Sequence, residues 1–355
     1  MLLRPTTFIL GAGASVDMKF PTGAELQVEV TKRLARARGT NSFANEKIWN
    51  ALQPLLVENN QNWSVRAQQF LKAADSISRG MSVAASIDNF LHTHSDDLDV
   101  VILGKLSIAL CILEKEEACF LASRSGIPSI NADILAKPEF QNSWYAPFVR
   151  MLTAGTSSND PLSFARNARF IVFNYDRCLE IVLLLALQSY YRLELKEAAE
   201  IMKQIDIVHP YGSLGTLPPL GSDGVGFGQD AGHLLEISQK LKTFTESIDS
   251  ELAVRAKEAV SRAQTLVFLG FGFLQQNMSL IAPEAIKRAT RVHATTIGIS
   301  ESDQLVVATE LFKFVEEGRR FANVMTQDSA AAIVDVANGT CRNLIENHRM
   351  RLLQA

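Results

Sequence analysis

Apolar residues are distributed along the chain in two patterns, and each predicts its own kind of element. Short unbroken apolar runs that stop at glycine or polar residues predict buried strands. These are Thr6 to Leu10, running into Gly11-Ala12-Gly13; "ARFIVFNYD", ending in Asn174-Tyr175-Asp176; "IDIVHPYGSLG", ending at His209 with Gly212 and Ser213 beyond; "TLVFLGFGF", entering Gly270-Phe271-Gly272; and "RVHATTIGIS", ending in Gly298-Ile299-Ser300. Apolar residues at three- and four-residue spacing predict helices. One runs from Thr22 to Arg38, and a helical block extends from about Glu46 to Lys137, with "IWNALQPLL" and "VVILGKLSIALCILEKEEACFLA" as its clearest stretches. "RCLEIVLLLALQSYY" predicts an apolar helix. A charged helix is expected near Glu246 to Gln264, another near Asp303 to Glu316, and "SAAAIVDVANGTCRNLIENHRMRLL" predicts a C-terminal pair of amphipathic helices.

Strands alternating with helices imply a parallel sheet covered on both faces. The expected fold is α/β, a Rossmann-like parallel sheet with a large helical insertion and C-terminal helices. The sheet domain would comprise residues 1–45 and 138–355, and the insertion residues 46–137. In such sheets ligands bind at the carboxyl ends of the strands. Here five predicted strand ends carry glycine or polar residues, so one rim would collect most of the candidate chemistry.

Composition narrows the class. The 355 residues are 47% hydrophobic and 21% charged, which fits a globular chain with a sizeable core. A formal net charge of -3 gives no reason to expect direct nucleic-acid binding. The local cluster Lys32, Arg33, Arg36 and Arg38 fits the solvated face of one helix. None of the four cysteines, Cys111, Cys119, Cys178 and Cys341, forms a C-x-x-C pair, so no zinc ribbon and no zinc are expected. Sparse cysteine fits a reducing cytosol. The longest wholly apolar run, Ile181 to Leu187, is too short for a bilayer, and the apolar stretch Phe8 to Leu10 is too short for a signal peptide. The expectation is a cytoplasmic chain without a membrane partner.

Gly11-x-Gly13 allows a backbone to approach a diphosphate, and the amides that follow can point at phosphate oxygens. The third glycine of the usual dinucleotide fingerprint is absent, as is a clear acidic residue about 20 residues on. Asn174 can be read as a helix cap and His209 as a buried, hydrogen-bonded histidine. Their joint appearance on the rim that carries the glycine turns favours a binding site.

"GAGAS", "FNYD", "HPYGS" and "GFGF", in this order, resemble the sirtuin superfamily, over roughly residues 5 to 29, 166 to 215 and 265 to 300. "FPT" (Phe20 to Thr22) stands where deacylases carry a different segment, and "SIDNF" (Ser86 to Phe90) resembles an element of divergent bacterial sirtuin-like proteins. The chain is similar to the sirtuin-like NAD hydrolases of antiphage defence, and by its length to the subunit that pairs with a HerA-type ATPase. The resemblance implies NAD+ as substrate and Asn174, His209 and Asp176 as catalytic residues. It implies a nucleotide site built from Gly11, Ala12, Gly13, Ala14, Ser15, Pro21, Thr22, Tyr175, Gly212, Ser213, Gly270, Gly272, Phe273 and Ser300. Asn174 would orient a water or the ribose hydroxyls, and His209 would accept a proton. Pro210 and Tyr211 separate His209 from Gly-Ser, so either His209 or Tyr211 fills the family's histidine position. It also implies a HerA-type ATPase or helicase partner, while the apolar surplus of the helical block, as in "VVILGKLSIALCIL", and of the C-terminal helices predicts a homo-oligomer. An NAD-dependent deacylase and a non-catalytic NAD or ADP-ribose sensor remain open alternatives.

Overall fold

The computed structural model describes residues 1–37, 42–57, 62–127, 133–222, 224–229, 232–248, 250–283, 288–315 and 333–354. Six parallel strands form one sheet: β1 (Thr6–Leu10), β2 (Ala168–Val172), β3 (Asp206–Val208), β4 (Thr265–Leu269), β5 (Arg291–Thr295) and β6 (Val334–Ala337). Their order across the sheet is β3-β2-β1-β4-β5-β6. The chain builds outward from β1 to one side, then returns to β1's other side and builds outward again. The fold is therefore Rossmann-like, and the strand order reverses between β1 and β4, which is where such sheets open a crevice. All five residues of β1 and of β4 are buried, as expected of central parallel strands covered on both faces.

Between β1 and β2 lie α1 (Gly23–Arg33), α2 (Glu46–Val57), α3 (Trp63–Gly80), α4 (Ile87–Thr93), α5 (Leu98–Ala118), α6 (Pro138–Asn142) and α7 (Tyr145–Thr153). α5 is apolar on nearly every side, so it can be stable only inside other elements. It is enclosed by α1, α2, α3, α4 and α10 (Leu234–Gln239). α7 covers the centre of the sheet, where Phe148 meets Phe8 of β1 edge-on at 5.1 Å and Phe8 stacks on Phe170 of β2 at 5.6 Å. α8 (Cys178–Tyr191) leaves the end of β2 and is also apolar on most of its surface. α9 (Leu195–Met202) leads to β3, and α11 (Phe244–Ser247) and α12 (Glu251–Arg262) lead to β4. α13 (Gln275–Ile281), α14 (Glu301–Phe312) and α15 (Cys341–Gln354) complete the described helices. Among the described residues no helix is long and apolar enough to cross a membrane.

Several sequence expectations are corrected. The stretch predicted as two C-terminal helices contains edge strand β6 followed by the single helix α15. Val334 and Val336 are β-branched and alternate with Asp335, a two-residue period too short to stand out in an apolar run. Residues 329–332 of that stretch lie outside the described residues. The helix expected to reach Arg38 ends at Arg33, and Arg38 itself lies outside the described residues. The basic cluster is not a simple solvated face: Arg33 is largely buried between Glu29 and Glu114 of α5, and Arg36 pairs with Asp75 of α3. The expected helix from Glu246 to Gln264 is divided, because Ser250 caps a fresh start at Glu251.

Candidate functional site

The two glycine turns meet at the point where the strand order reverses. Gly11 N donates to Leu269 O at 3.0 Å and Gly13 N to Gly270 O at 2.9 Å. A Cβ on Gly11 would lie 2.5 Å from Gly270 O, and one on Gly13 would lie 2.8 Å from Gly270 Cα. Gly270 has φ of +57°, and its own Cβ would fall 2.1 Å from Ala14 N. These glycines let two backbones touch. The amide of Gly13 is committed to Gly270, and that of Ala14 to Gly11 O. An anion at this turn therefore cannot use those two donors, which narrows the expected diphosphate cradle. The chain from Ala12 to Met18 winds as a 3-10 helix, held from above by Trp144 of the α6–α7 junction. The Trp144 indole donates to Ala14 O at 2.6 Å and its backbone N to Asp17 at 2.9 Å.

Behind that turn, the segment after β2 brings two buried polar side chains, Asn174 and Asp176, against buried Ser15. Asn174 Nδ2 donates to Ser15 Oγ at 2.7 Å, and Ser15 Oγ donates to Asp176 Oδ2 at 2.8 Å. The other Asp176 oxygen accepts from Cys178 N at 3.1 Å, at the start of α8. Burial pushes the Asp176 carboxyl up from its ordinary value, and the Ser15 and Cys178 donors only partly offset this. The Asn174 carbonyl oxygen, Oδ1, is buried and accepts no hydrogen bond from the protein. Such an atom normally has a partner, so a water or a ligand hydroxyl is the natural occupant.

His209 follows β3 and lies against the same segment. Its Nδ1 is 3.1 Å from the backbone oxygen of Asn174, and its Nε2 is 2.8 Å from Glu180 Oε1 on α8. A carbonyl can only accept, so Nδ1 carries a proton, and Nε2 faces a carboxylate. Burial opposes the charged ring, but the Glu180 charge and hydrogen bond and the Asn174 carbonyl outweigh it and raise the pKa. In this arrangement the imidazole has no free lone pair to take a proton. The residue expected as the base bridges the Asn174 backbone and Glu180 of α8. The second Glu180 oxygen, Oε2, is buried without a partner. Tyr211 is directed elsewhere: its hydroxyl donates to Asn277 Oδ1 on α13 at 2.7 Å. His209, not Tyr211, touches Asn174.

The remaining candidates are spread along the rim. Tyr175 donates to the half-buried carboxyl of Asp88, the third residue of "SIDNF", whose Ser86 caps α4. Thr22 is engaged in a reciprocal capping box with Glu25, and Pro21 beside it is half-buried. Gly212 adopts φ of +71° with its Cα packed under Lys240 O, and Ser213 is half-buried beside it. Gly272 faces open space, whereas Phe273, at φ of +52°, packs its ring on Phe268 and Phe271. Ser300 caps α14 through Asp303, after β5. The structure thus joins Ser15, Asn174, Asp176 and His209 in one connected group; Thr22 and Ser300 each cap a helix start.

Sequence reasoning missed Glu180, in the first turn of α8, and the pair Glu116–Arg177. That pair is fully buried, with Arg177 Nη2 2.5 Å from Glu116 Oε2. Arg177 also donates to the backbone oxygens of Gly215, Val225 and Gly226, while Gly228 N donates to Glu116 at 2.9 Å. The end of β2, helix α5 and the glycine-rich loop after β3 are thereby joined by one ion pair. Nothing in the spacing of Glu116 and Arg177, 61 residues apart, marks them as partners. No protein-family model, no curated protein and no solved structure matches the chain.

Proposed function

We propose that the chain is a sirtuin-like hydrolase of NAD+, cleaving the bond between nicotinamide and ribose to release nicotinamide and ADP-ribose. The observation that carries the reading is the buried Asn174 amide, fixed by Ser15 and Asp176 beside the switch point, with its carbonyl oxygen unpartnered. In the reaction the C1′–N bond breaks with its electron pair passing to the nicotinamide ring, which leaves neutral. A water oxygen bonds to C1′, and the water's proton ends in solvent. Such a leaving group needs little acid catalysis; the site must orient the ribose and one water and exclude the rest. Asn174 Oδ1 accepts a hydrogen bond from that water or from a ribose hydroxyl. Asp176 lies one hydroxyl away, where its negative charge favours the oxocarbenium-like transition state. His209 holds the Asn174 backbone in place.

A second reading, a non-catalytic NAD or ADP-ribose sensor, draws on the absence of a free nitrogen on His209. A deacylase is the third. Nicotinamide release from NAD+, measured with and without an acetylated peptide, separates them. Peptide-independent release supports the hydrolase. Release only with peptide supports the deacylase, and binding without release supports the sensor. A role in antiphage defence and a HerA-type ATPase partner rest on the sequence resemblance, and a homo-oligomer on the apolar surplus of the helices. The two assemblies are tested by light scattering of the chain alone and mixed with such an ATPase.

A further inference from the structure

Away from the rim, β5, β6 and α15 bring together His293, Asp335 and His348, with one ligand atom from each lying within 4.8 Å of the others. His293 and Asp335 are register partners on adjacent parallel strands, so their side chains leave the sheet on the same face. α15 packs against β5 and supplies His348 from above. The sites differ in depth: His293 is 1% exposed, His348 15% and Asp335 26%. The group is sealed beneath and reachable from the Asp335 side.

Two features do not fit a closed hydrogen-bonded cluster. His293 Nδ1 has only a long contact to Asp335 and no well-aligned hydrogen bond, and His293 Nε2 and His348 Nδ1 make none. A buried imidazole with one nitrogen unsatisfied and the other only loosely met is unfavourable, and such groups usually have an occupant that meets them. The spacings also differ from ion pairing. Asp335 Oδ2 lies 3.4 Å from His293 Nδ1 and 3.2 Å from His348 Nε2. Charge-assisted hydrogen bonds close to about 2.7–2.9 Å. Ligands about 2.0–2.1 Å from a tetrahedral ion sit about 3.3 Å from one another. Both measured edges match that value. The two rings lie side by side, with centroids 4.6 Å apart and planes inclined by 39°, as two imidazoles converging on one point do.

We infer that His293, Asp335 and His348 form a binding site for a divalent transition-metal ion of the zinc or cobalt class. Two imidazoles and one carboxylate suit borderline ions; magnesium and calcium prefer a shell of oxygens. Three protein ligands leave a fourth position, which faces the half-exposed side and takes water. The ion would staple edge strand β6 and the C-terminal helix onto β5, adding to the packing of α15 on α7 and of α14 on β6. Cysteine spacing excludes a zinc ribbon but carries no information on a site assembled from two histidines and an aspartate on three elements.

The test uses the full chain, stripped with a chelator and titrated with Co2+ and then Zn2+, with metal content, visible absorption and thermal melting as readouts. None depends on NAD+ turnover, so the outcome is separate from that of the proposed hydrolase. The expected result is one Co2+ per chain, with the visible bands of a four- or five-coordinate ion, displacement by Zn2+ and a raised melting temperature. His348→Gln and Asp335→Asn should each weaken binding at least tenfold, while His233→Gln on the surface should not. Because His293 is deeply buried and its replacement perturbs the core, the more accessible His348 and Asp335 carry the test. Sub-stoichiometric binding, equal binding by the His348→Gln variant, or a response to Mg2+ but not to Co2+ or Zn2+ would each overturn the assignment.

Discussion

The imidazole Nε2 of His209 lies 2.8 Å from Oε1 of Glu180, while the other ring nitrogen faces the backbone oxygen of Asn174. Both ring nitrogens are therefore engaged in the charged form, and the pKa of His209 is raised by Glu180 despite burial. A raised folded-state pKa stabilises the fold most below the unfolded value, about 6.5, and that stabilisation is lost as pH rises through the folded pKa. Urea denaturation should accordingly show stability falling from neutral to alkaline pH. In Glu180→Gln this fall should be shallower. Parallel profiles for the two proteins would show that the pair contributes nothing to pH dependence.

Asn174→Ala should lower nicotinamide release by on the order of a hundredfold, the usual effect of losing one positioned catalytic group. The buried bond to Ser15 is worth only about 1 kcal/mol in stability, so the fold should survive. Steady-state nicotinamide release and a denaturation midpoint, measured on one preparation, check this. An activity loss no larger than the loss of folded protein would remove Asn174 from the chemistry.

Arg177→Met should cost about 3–5 kcal/mol, because it strands the Glu116 carboxylate in the interior. Burial already raises the Glu116 pKa even with Arg177 present. The double variant with Glu116→Leu should recover part of that loss, since both charges then go. Equilibrium unfolding gives the energies. Limited proteolysis between Gly224 and Gly228 should show faster cutting in Arg177→Met, which releases the loop from three of its backbone contacts.

Gly270→Ala should destabilise by about 1–3 kcal/mol or more, since it places a side chain at φ of +57° and 2.1 Å from Ala14 N. Gly272→Ala, which meets open space, should be nearly neutral. Thermal melts of the two variants distinguish a packing role for the turn from a general intolerance of that loop. Equal melting temperatures would mean that the two turns are free to separate.

Much of the fold was legible because buried parallel strands are continuous apolar runs, and five of the six could be located that way. β6 was not, since a four-residue edge strand with Asp335 at its centre has neither the length nor the apolar density to be separated from a helix. The rim was legible for a related reason. Strand ends in a doubly wound sheet converge on one side, so Ser15, Asn174, Asp176 and His209 could be grouped from their positions alone.

What the sequence by itself determined is the set of elements and the polar residues at their ends. Only the tertiary structure decided what those residues do to one another. It committed the Gly13 and Ala14 amides, paired His209 with Glu180, buried Arg177 against Glu116, and converged His293, Asp335 and His348. The physical reason is range. Periodicity and turn chemistry act over a few neighbouring residues, whereas hydrogen bonds, ion pairs and ligand geometry depend on distances of about 3 Å between groups far apart in the chain.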